Sequence, residues 1–280
     1  MDTLSLLFSR FSLTARVFHS GMLCQSERFD VPAGFAYIHV LRSGSLQASH
    51  PDGSMQRVEQ PALIFYQGPG PHQFQVDPQA GATLVCAAID FGAGLQNPVL
   101  RGIPQFLVLP LAEVSGIDST LTLLFAEAFA SDAGRQAGID RLMEYFLILL
   151  LRYLVASRRI GHGVLAALAD ARLNKAITAM HEQPQQDWTL DTLAQVAGMS
   201  RARFAAHFRD STGSTALDYL TDWRISVAQS LLKRGQAFKM IAPQVGYSSP
   251  VALNRVFQRR TGCTPLEWLE QQRTLPQPSH

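Results

Sequence analysis

The sequence predicts an α+β protein of two domains: an N-terminal antiparallel β barrel with trailing helices, then an all-α domain with two helix-turn-helix motifs joined by a long helix. Three observations carry this reading. Short apolar runs alternate with turn signals from Phe35 to Phe91, the pattern of an antiparallel barrel or sandwich. Two helical stretches follow, Leu121 to Phe129 and Ile139 to Ala156. Beyond them the chain repeats itself at an offset of 48 and then 49 residues, the mark of a duplicated unit. Length agrees, since 280 residues at roughly 150 per domain allow about two domains. A composition 47% hydrophobic and 16% charged forms cores and excludes disorder, collagen and coiled coil.

The N-terminal residues Met1 to Phe8 lack a basic leader and a long apolar core, so no secretory signal is expected. The longest uninterrupted apolar stretch, Tyr145 to Leu151, falls far short of the ~20 residues that cross a bilayer. A cytoplasmic protein is expected. Cys24, Cys86 and Cys263 are odd in number and far apart, which argues against a disulfide or zinc framework; small buried apolar roles suit them.

In the barrel, Phe35 to Leu41 reads as a strand ending at Ser43-Gly44. The turn Pro51-Asp52-Gly53-Ser54 joins strands at Gly44 to Ser49 and Met55 to Val58. Leu63 to Tyr66 and Ala82 to Phe91 are further strands, with a rigid loop Gly68-Pro69-Gly70-Pro71-His72 between them. Tyr37 and His39 share a strand face, and Tyr66, His72 and Phe74 flank the loop. These five are the candidate effector-binding residues, because aromatic walls with a few polar groups are the usual form of a small-molecule site. Hydrogen-bonded core packing is the alternative for the histidines. Two histidines are too few to hold a transition metal firmly, so neither a metal nor a cofactor is expected.

Of the two trailing helices, split by Ser131-Asp132-Ala133-Gly134, the second is apolar on nearly all sides, from Leu142 and Met143 through Leu151. It is either a buried internal helix or a face covered by a subunit partner, a homodimer. Arg158 to Gly163 reads as a hinge.

Charge divides unevenly. Before Gly161, 11 Lys and Arg face 13 Asp and Glu; from Gly161 onward, 13 face 9. The positive excess is therefore C-terminal, where the repeat lies. Leu193-Ala194 and Gly198 match Ile241-Ala242 and Gly246. After one inserted residue in the turn, Ser200, Phe204, Phe208, Thr212-Gly213 and Thr215 match Ser249, Leu253, Phe257, Thr261-Gly262 and Thr264. Each copy reads as a short helix ended by glycine, a tight turn, and a second helix capped by serine, with Pro250 at the first helical position and a capping box at Thr264 to Glu267. A short helix is likewise capped by Thr189, and an earlier one runs from Asp170 to Glu182. Between the copies, Thr215 to Arg234 predicts a helix with a stripe of Leu217, Leu220, Trp223, Val227, Leu231 and Leu232, about 30 Å long and so close to the ~34 Å turn of B-form DNA.

At 100° per residue, Leu253, Val256 and Phe257 face inward. Val251, Arg255 and Gln258 then point outward, with Asn254 and Arg259 on the flanks. Arg255 suits guanine, to which a guanidinium donates twice, and Val251 suits a thymine methyl. The first copy presents Ala202, Ala205, Ala206 and Arg209 outward, with Arg201 at its start and Arg203 on its flank. The second copy is therefore expected to discriminate sequence and the first mainly to position the protein on phosphates.

The segment from about Leu173 to Arg273 resembles the AraC/XylS family DNA-binding domain, through Leu193-Ala194...Ala197-Gly198-Met199-Ser200, Phe208...Thr212-Gly213, Ile241-Ala242...Val245-Gly246-Tyr247-Ser248-Ser249 and Arg255-Val256-Phe257...Gly262-Cys263-Thr264-Pro265. The resemblance implies base contacts at Ala202, Ala205, Ala206, Val251 and Arg255. Family members often carry larger side chains where the three alanines stand. The barrel resembles the cupin-like sensor that precedes this domain in many members. The resemblance implies a transcription regulator of double-stranded DNA, with RNA polymerase as a further partner if it activates. The expected organisation is an effector-sensing and dimerisation domain at 1–160, a linker and helix start at 161–172, the DNA-binding domain at 173–273 and a tail at 274–280. The DNA-facing set is Arg201, Ala202, Arg203, Ala205, Ala206, Arg209, Ser249, Val251, Asn254, Arg255, Gln258 and Arg259. Two other readings are a metal-dependent barrel enzyme fused to a DNA module and a dimeric regulator with no ligand.

Overall fold

The computed structural model of the chain describes residues 4–5, 13–29, 34–68, 70–91, 100, 103–157 and 163–274. They divide into two compact units, one built on Leu13–Phe91 and Pro104–Tyr153, the other chiefly on Leu154–Leu275.

The first unit contains β1 (Thr14–Leu23), β2 (Glu27–Phe29), β3 (Ala36–Gly44), β4 (Leu46–Ser49), β5 (Met55–Val58), β6 (Ala62–Tyr66), β7 (His72–Val76), β8 (Ala82–Asp90) and β9 (Phe106–Pro110). They form two antiparallel sheets, ordered β1-β8-β3-β6-β9 and β2-β7-β4-β5. Leu41, Ile64 and Leu84 of the larger sheet share one core with Ala48, Phe74 and Val76 of the smaller. Alternation marks the half-solvated strands: His72, Phe74 and Val76 of β7 are buried while Gln73 and Gln75 are exposed. By contrast β6 is buried throughout. A single turn of 3-10 helix, Leu111–Glu113, leads to α1 (Asp118–Phe129) and α2 (Arg135–Ser157). Edge strand β1 has amide groups with no neighbouring strand, and the helix α2 supplies partners for two of them. Val17 N donates to Asp140 Oδ1 at 2.7 Å and Ala15 N to Glu144 Oε1 at 3.3 Å, which protects the edge. Met143, Phe146, Leu147, Leu150 and Leu151 of α2 are buried, whereas Tyr145 is 47% exposed and Leu142, Ile148 and Leu149 are half-buried.

Several elements differ from expectation. β1, β2 and β9 stand where no strand is read from the sequence. β7 begins at His72, which the sequence reading assigns to a loop, although the alternation His72-Gln73-Phe74-Gln75-Val76 is a strand signal.

The second unit is helical: α3 (Val164–Leu168), α4 (Ala171–Glu182), α5 (Leu190–Val196), α6 (Arg201–Thr212), α7 (Ala216–Lys233), α8 (Phe238–Gln244), α9 (Pro250–Thr261) and α10 (Pro265–Thr274). α3 lies in the stretch expected to be linker; Val164, Leu165, Ala167 and Leu168 are buried, and Gly163 N donates to Ser211 O at 2.9 Å. Residues 158–162, most of the expected hinge, lie outside the described residues. α7 is buried far beyond one stripe. Asp222, Ser226, Gln229 and Ser230 are buried along with Leu220, Trp223 and Val227, while Leu217, placed in the stripe by its spacing, is 44% exposed. Among the described residues no helix is long and apolar enough to cross a membrane.

Gly44 closes β3 at φ +86°, where a Cβ would lie 2.2 Å from Gly81 O and 2.9 Å from Ala82 Cα. Both obstacles are backbone and cannot rotate away. Gly44→Ala should therefore destabilise the barrel by roughly 2–4 kcal/mol, the range of strained backbone combined with overpacking, measured by urea unfolding of the full chain; a change under about 0.5 kcal/mol would contradict this packing.

Candidate nucleic-acid interface and barrel cavity

The repeat in the sequence is a repeat of hydrogen bonds. Turn glycines Gly198 and Gly246 have φ +64° and +79°, and the residue after each donates back to the short helix, Met199 N to Ala194 O and Tyr247 N to Ala242 O, both at 2.9 Å. The longer helices end alike. Gly213 N donates to Arg209 O and Gly262 N to Gln258 O, both at 2.8 Å. Thr212 Oγ1 donates to Phe208 O at 2.8 Å, and Thr261 Oγ1 to Phe257 O at 2.9 Å. Thr215 and Thr264 then cap α7 and α10 through Asp218 N and Glu267 N.

Buried Phe204 and Phe208 hold α6, and buried Leu253 and Phe257 hold α9. Their opposite faces are open. On α6, Arg201, Ala202, Arg203, Ala206 and Arg209 are exposed and Ala205 is half-buried. Arg201 lies 3.3 Å from Asp191. On α9, Val251 is 69% exposed, Arg255, Gln258 and Arg259 are exposed, and Asn254 is half-buried. Ser249 Oγ accepts from Ala252 N at 3.2 Å, so this hydroxyl caps the helix. Ser200 stands at the equivalent position of α6 without a side-chain capping bond.

Each long helix is also pinned at its far end. His207 Nε2 lies 2.8 Å from Asp170 Oδ2, joining α6 to the start of α4. Arg260 donates to Asp218 Oδ1 at 2.7 Å, with Asp222 Oδ1 3.3 Å from its Nε, joining α9 to α7. The Asp218 carboxyl is held below its ordinary range by its hydrogen bonds from Thr215 and Arg260. In the same unit His181 stacks on Trp223 with ring centres 3.5 Å apart, and its Nε2 is 2.6 Å from Tyr219 Oη. Neither His207 nor Arg260 was singled out from the sequence; long-range ionic partners leave no periodic signal.

In the barrel, Tyr37, His39, Tyr66, His72 and Phe74 come together, all buried. His39 Nε2 is 2.7 Å from His72 Nε2; Tyr66 stacks on His72 with centres 4.0 Å apart, and Phe74 lies edge-on to His39 at 4.7 Å. Phe18 and Phe29, which the sequence reading did not select, complete the aromatic wall. The five residues therefore fill the interior rather than line an open chamber. A cavity of about 410 Å³ opens beside them, lined by Tyr66, His72, Ser49, His50 and Gln105 among others; only Tyr66 and His72 of the five reach it. Ser49, His50 and Gln105 escaped the sequence reading because strand pairing alone brings them to one mouth.

The two imidazoles point their Nε2 atoms at each other, leaving no space for an ion between them. Among the described residues no group of three or more His, Cys, Asp or Glu is placed to hold a metal. One ring must donate to the other, which requires the accepting ring to be neutral, and both Nδ1 atoms are buried without a hydrogen-bond partner among the described residues. Burial pushes His39 well below the usual imidazole range, with His72 and His19 adding to the shift, and burial lowers His72 to about 3. Burial likewise raises Tyr37 to about 12.

A histidine whose folded pKa is depressed favours the unfolded chain once pH drops below the unfolded value of 6.5. Stability present at pH 7 should thus be lost on acidification, about 2 kcal/mol for His72 alone at pH 5. Urea unfolding at the two pH values tests this: His72→Phe should flatten the difference, and an equally steep loss in that variant would refute the assignment.

A family model described as cupin matches residues 2–156, and one described as a helix-turn-helix domain matches residues 193–271. An uncharacterized HTH-type transcriptional regulator of Haemophilus influenzae is 35% identical over 167 residues, 59% of this chain and 56% of its own length. The match thus spans little more than half of that relative. The RCS-specific HTH-type transcriptional activator RclR of Escherichia coli is 28% identical over 242 residues, 85% of each chain. Among solved structures, the DNA-binding domain of AdpA in complex with a target DNA is 33% identical, covers 37% of this chain and 94% of its own, and has a TM-score of 0.34.

Proposed function

The chain belongs to the cupin family, with an AraC-type helix-turn-helix domain joined to its barrel, and on that footing we propose that it is a sequence-specific regulator of transcription whose barrel senses a small molecule. The observation that carries the proposal is the duplicated motif: two helical hairpins with the same turn hydrogen bonds, each presenting one open helix face, packed on a common 18-residue helix. That helix is about 27 Å long, comparable with the ~34 Å between major grooves on one face of a duplex.

In this reading α6 and α9 are the recognition helices. Arg255 is exposed on the outer face of α9, so its donors are available for a guanine edge, with Val251, Asn254 and Gln258 beside it. Arg203 and Arg209 flank the alanine face of α6 and serve phosphates, with Arg201 and Arg259 at the helix ends. The small face of Ala202, Ala205 and Ala206 suits close approach of α6 to the groove. The relatives are named as regulators, which supports a sensor rather than a catalyst in the barrel. The effector site is the mouth cavity at Tyr66 and His72, with Tyr37, His39 and Phe74 as its rigid backing. A homodimer formed through the barrel unit, and contact with RNA polymerase if the protein activates, complete the proposal.

Selection of bound duplexes from a random DNA pool tests the core of it; no enrichment of any sequence would sink it. On the selected site, Arg255→Ala should cost ~1–3 kcal/mol and relax preference at one base pair, and affinity should fall steeply with salt. Ala206→Gln should weaken binding through loss of close approach; binding as tight as the original would show that α6 does not enter the groove.

A further inference from the structure

Arg224 stands near the middle of α7 and touches the segments that carry both motifs. Its Nε donates to Pro184 O at 2.7 Å and its Nη2 to Gln186 O at 2.8 Å, in the turn that leads into α5. The Cζ atom of the same guanidinium lies over the Tyr247 ring, 5.7 Å from its centre, and Tyr247 follows the turn glycine between α8 and α9. Gly246 closes the cluster. A Cβ at that residue would fall 2.7 Å from Arg224 Nη2 and 2.9 Å from Pro184 O, so the turn of the second motif rests against both the arginine and the lead-in to the first. A guanidinium suits this place because its fork donates to two carbonyls while its charge lies over an aromatic ring.

We infer that Arg224 is a positioning residue that fixes the separation and rotation of the two recognition helices, so that the protein reads the number of base pairs between two half-sites as well as their sequence. Burial of α7 holds the inner faces of both motifs, and the His207–Asp170 and Arg260–Asp218 contacts each pin one recognition helix, but neither contact reaches from one motif to the other. The arginine joins the lead-in to α5 with the turn between α8 and α9. One added base pair displaces a half-site by ~3.4 Å and turns it by ~35°, a change that hairpins locked to each other cannot follow. The inference rests on the DNA-binding reading above.

The test uses the full chain and the site selected from random DNA, remade with one or two base pairs added to or removed from the middle. The original protein should lose about tenfold or more in affinity at one base pair off the best spacing, the scale of a lost specific contact. In Arg224→Gln that ratio should shrink to within about threefold, and Arg224→Lys should recover part of it. Loss of folded protein lowers binding to all duplexes alike and leaves the ratio untouched, which separates positioning from stability. Tyr247→Leu removes the ring that the guanidinium meets and should flatten the spacing profile too; it decides the matter if Arg224→Gln fails to fold. A profile that stays steep in these variants, or an original protein that tolerates every spacing, overturns the inference while leaving the regulator reading standing. Failure to select any sequence overturns both.

Discussion

Burial of α7 is the constraint on which the helical unit depends. The hairpin helices are short, 7 and 12 residues in each motif, and helices of that length are marginal without tertiary packing. Both motifs find their partner in the same rod: Phe208 meets Tyr219 on one side, and Arg260 and Tyr247 meet Asp218 and Arg224 on the other. Because α7 is enclosed on nearly every side, Asp222, Ser226, Gln229 and Ser230 are buried together with its apolar residues. Buried polar groups are tolerated where partners meet them, and the ionic contact of Asp222 with Arg260 shows one such partner doubling as the anchor of α9.

The two motifs share a frame and differ in what they present. Their turn glycines, C-terminal glycines and threonine back-bonds make matching hydrogen bonds, since these features decide whether a hairpin closes. The open faces carry no such requirement and have diverged, to alanines on α6 and to Val251, Arg255 and Gln258 on α9. Even the anchors differ, His207 to Asp170 in one and Arg260 to Asp218 in the other.

The barrel solves another problem. Two sheets of alternating side chains leave an interior that must be filled, and here aromatic rings fill it around a pair of neutral histidines. Each ring contributes a buried Nδ1 with no partner among the described residues, a cost that a purely apolar core avoids.

Legibility followed the range of the interaction. Turn glycines, capping threonines, Pro250 and the inward phenylalanines are set by neighbours a few residues away, and the sequence alone determined them, together with the duplication, the outward-facing side chains of α6 and α9 and the convergence of Tyr37, His39, Tyr66, His72 and Phe74. The edge strands β1 and β9, the depth to which α7 is enclosed, the exposure of Leu217, the His39–His72 contact and the Arg224 cluster were decided only by the tertiary structure. Each depends on residues tens of positions apart being brought within a few ångströms, and no local pattern records which distant backbone carbonyl or ring a side chain will meet.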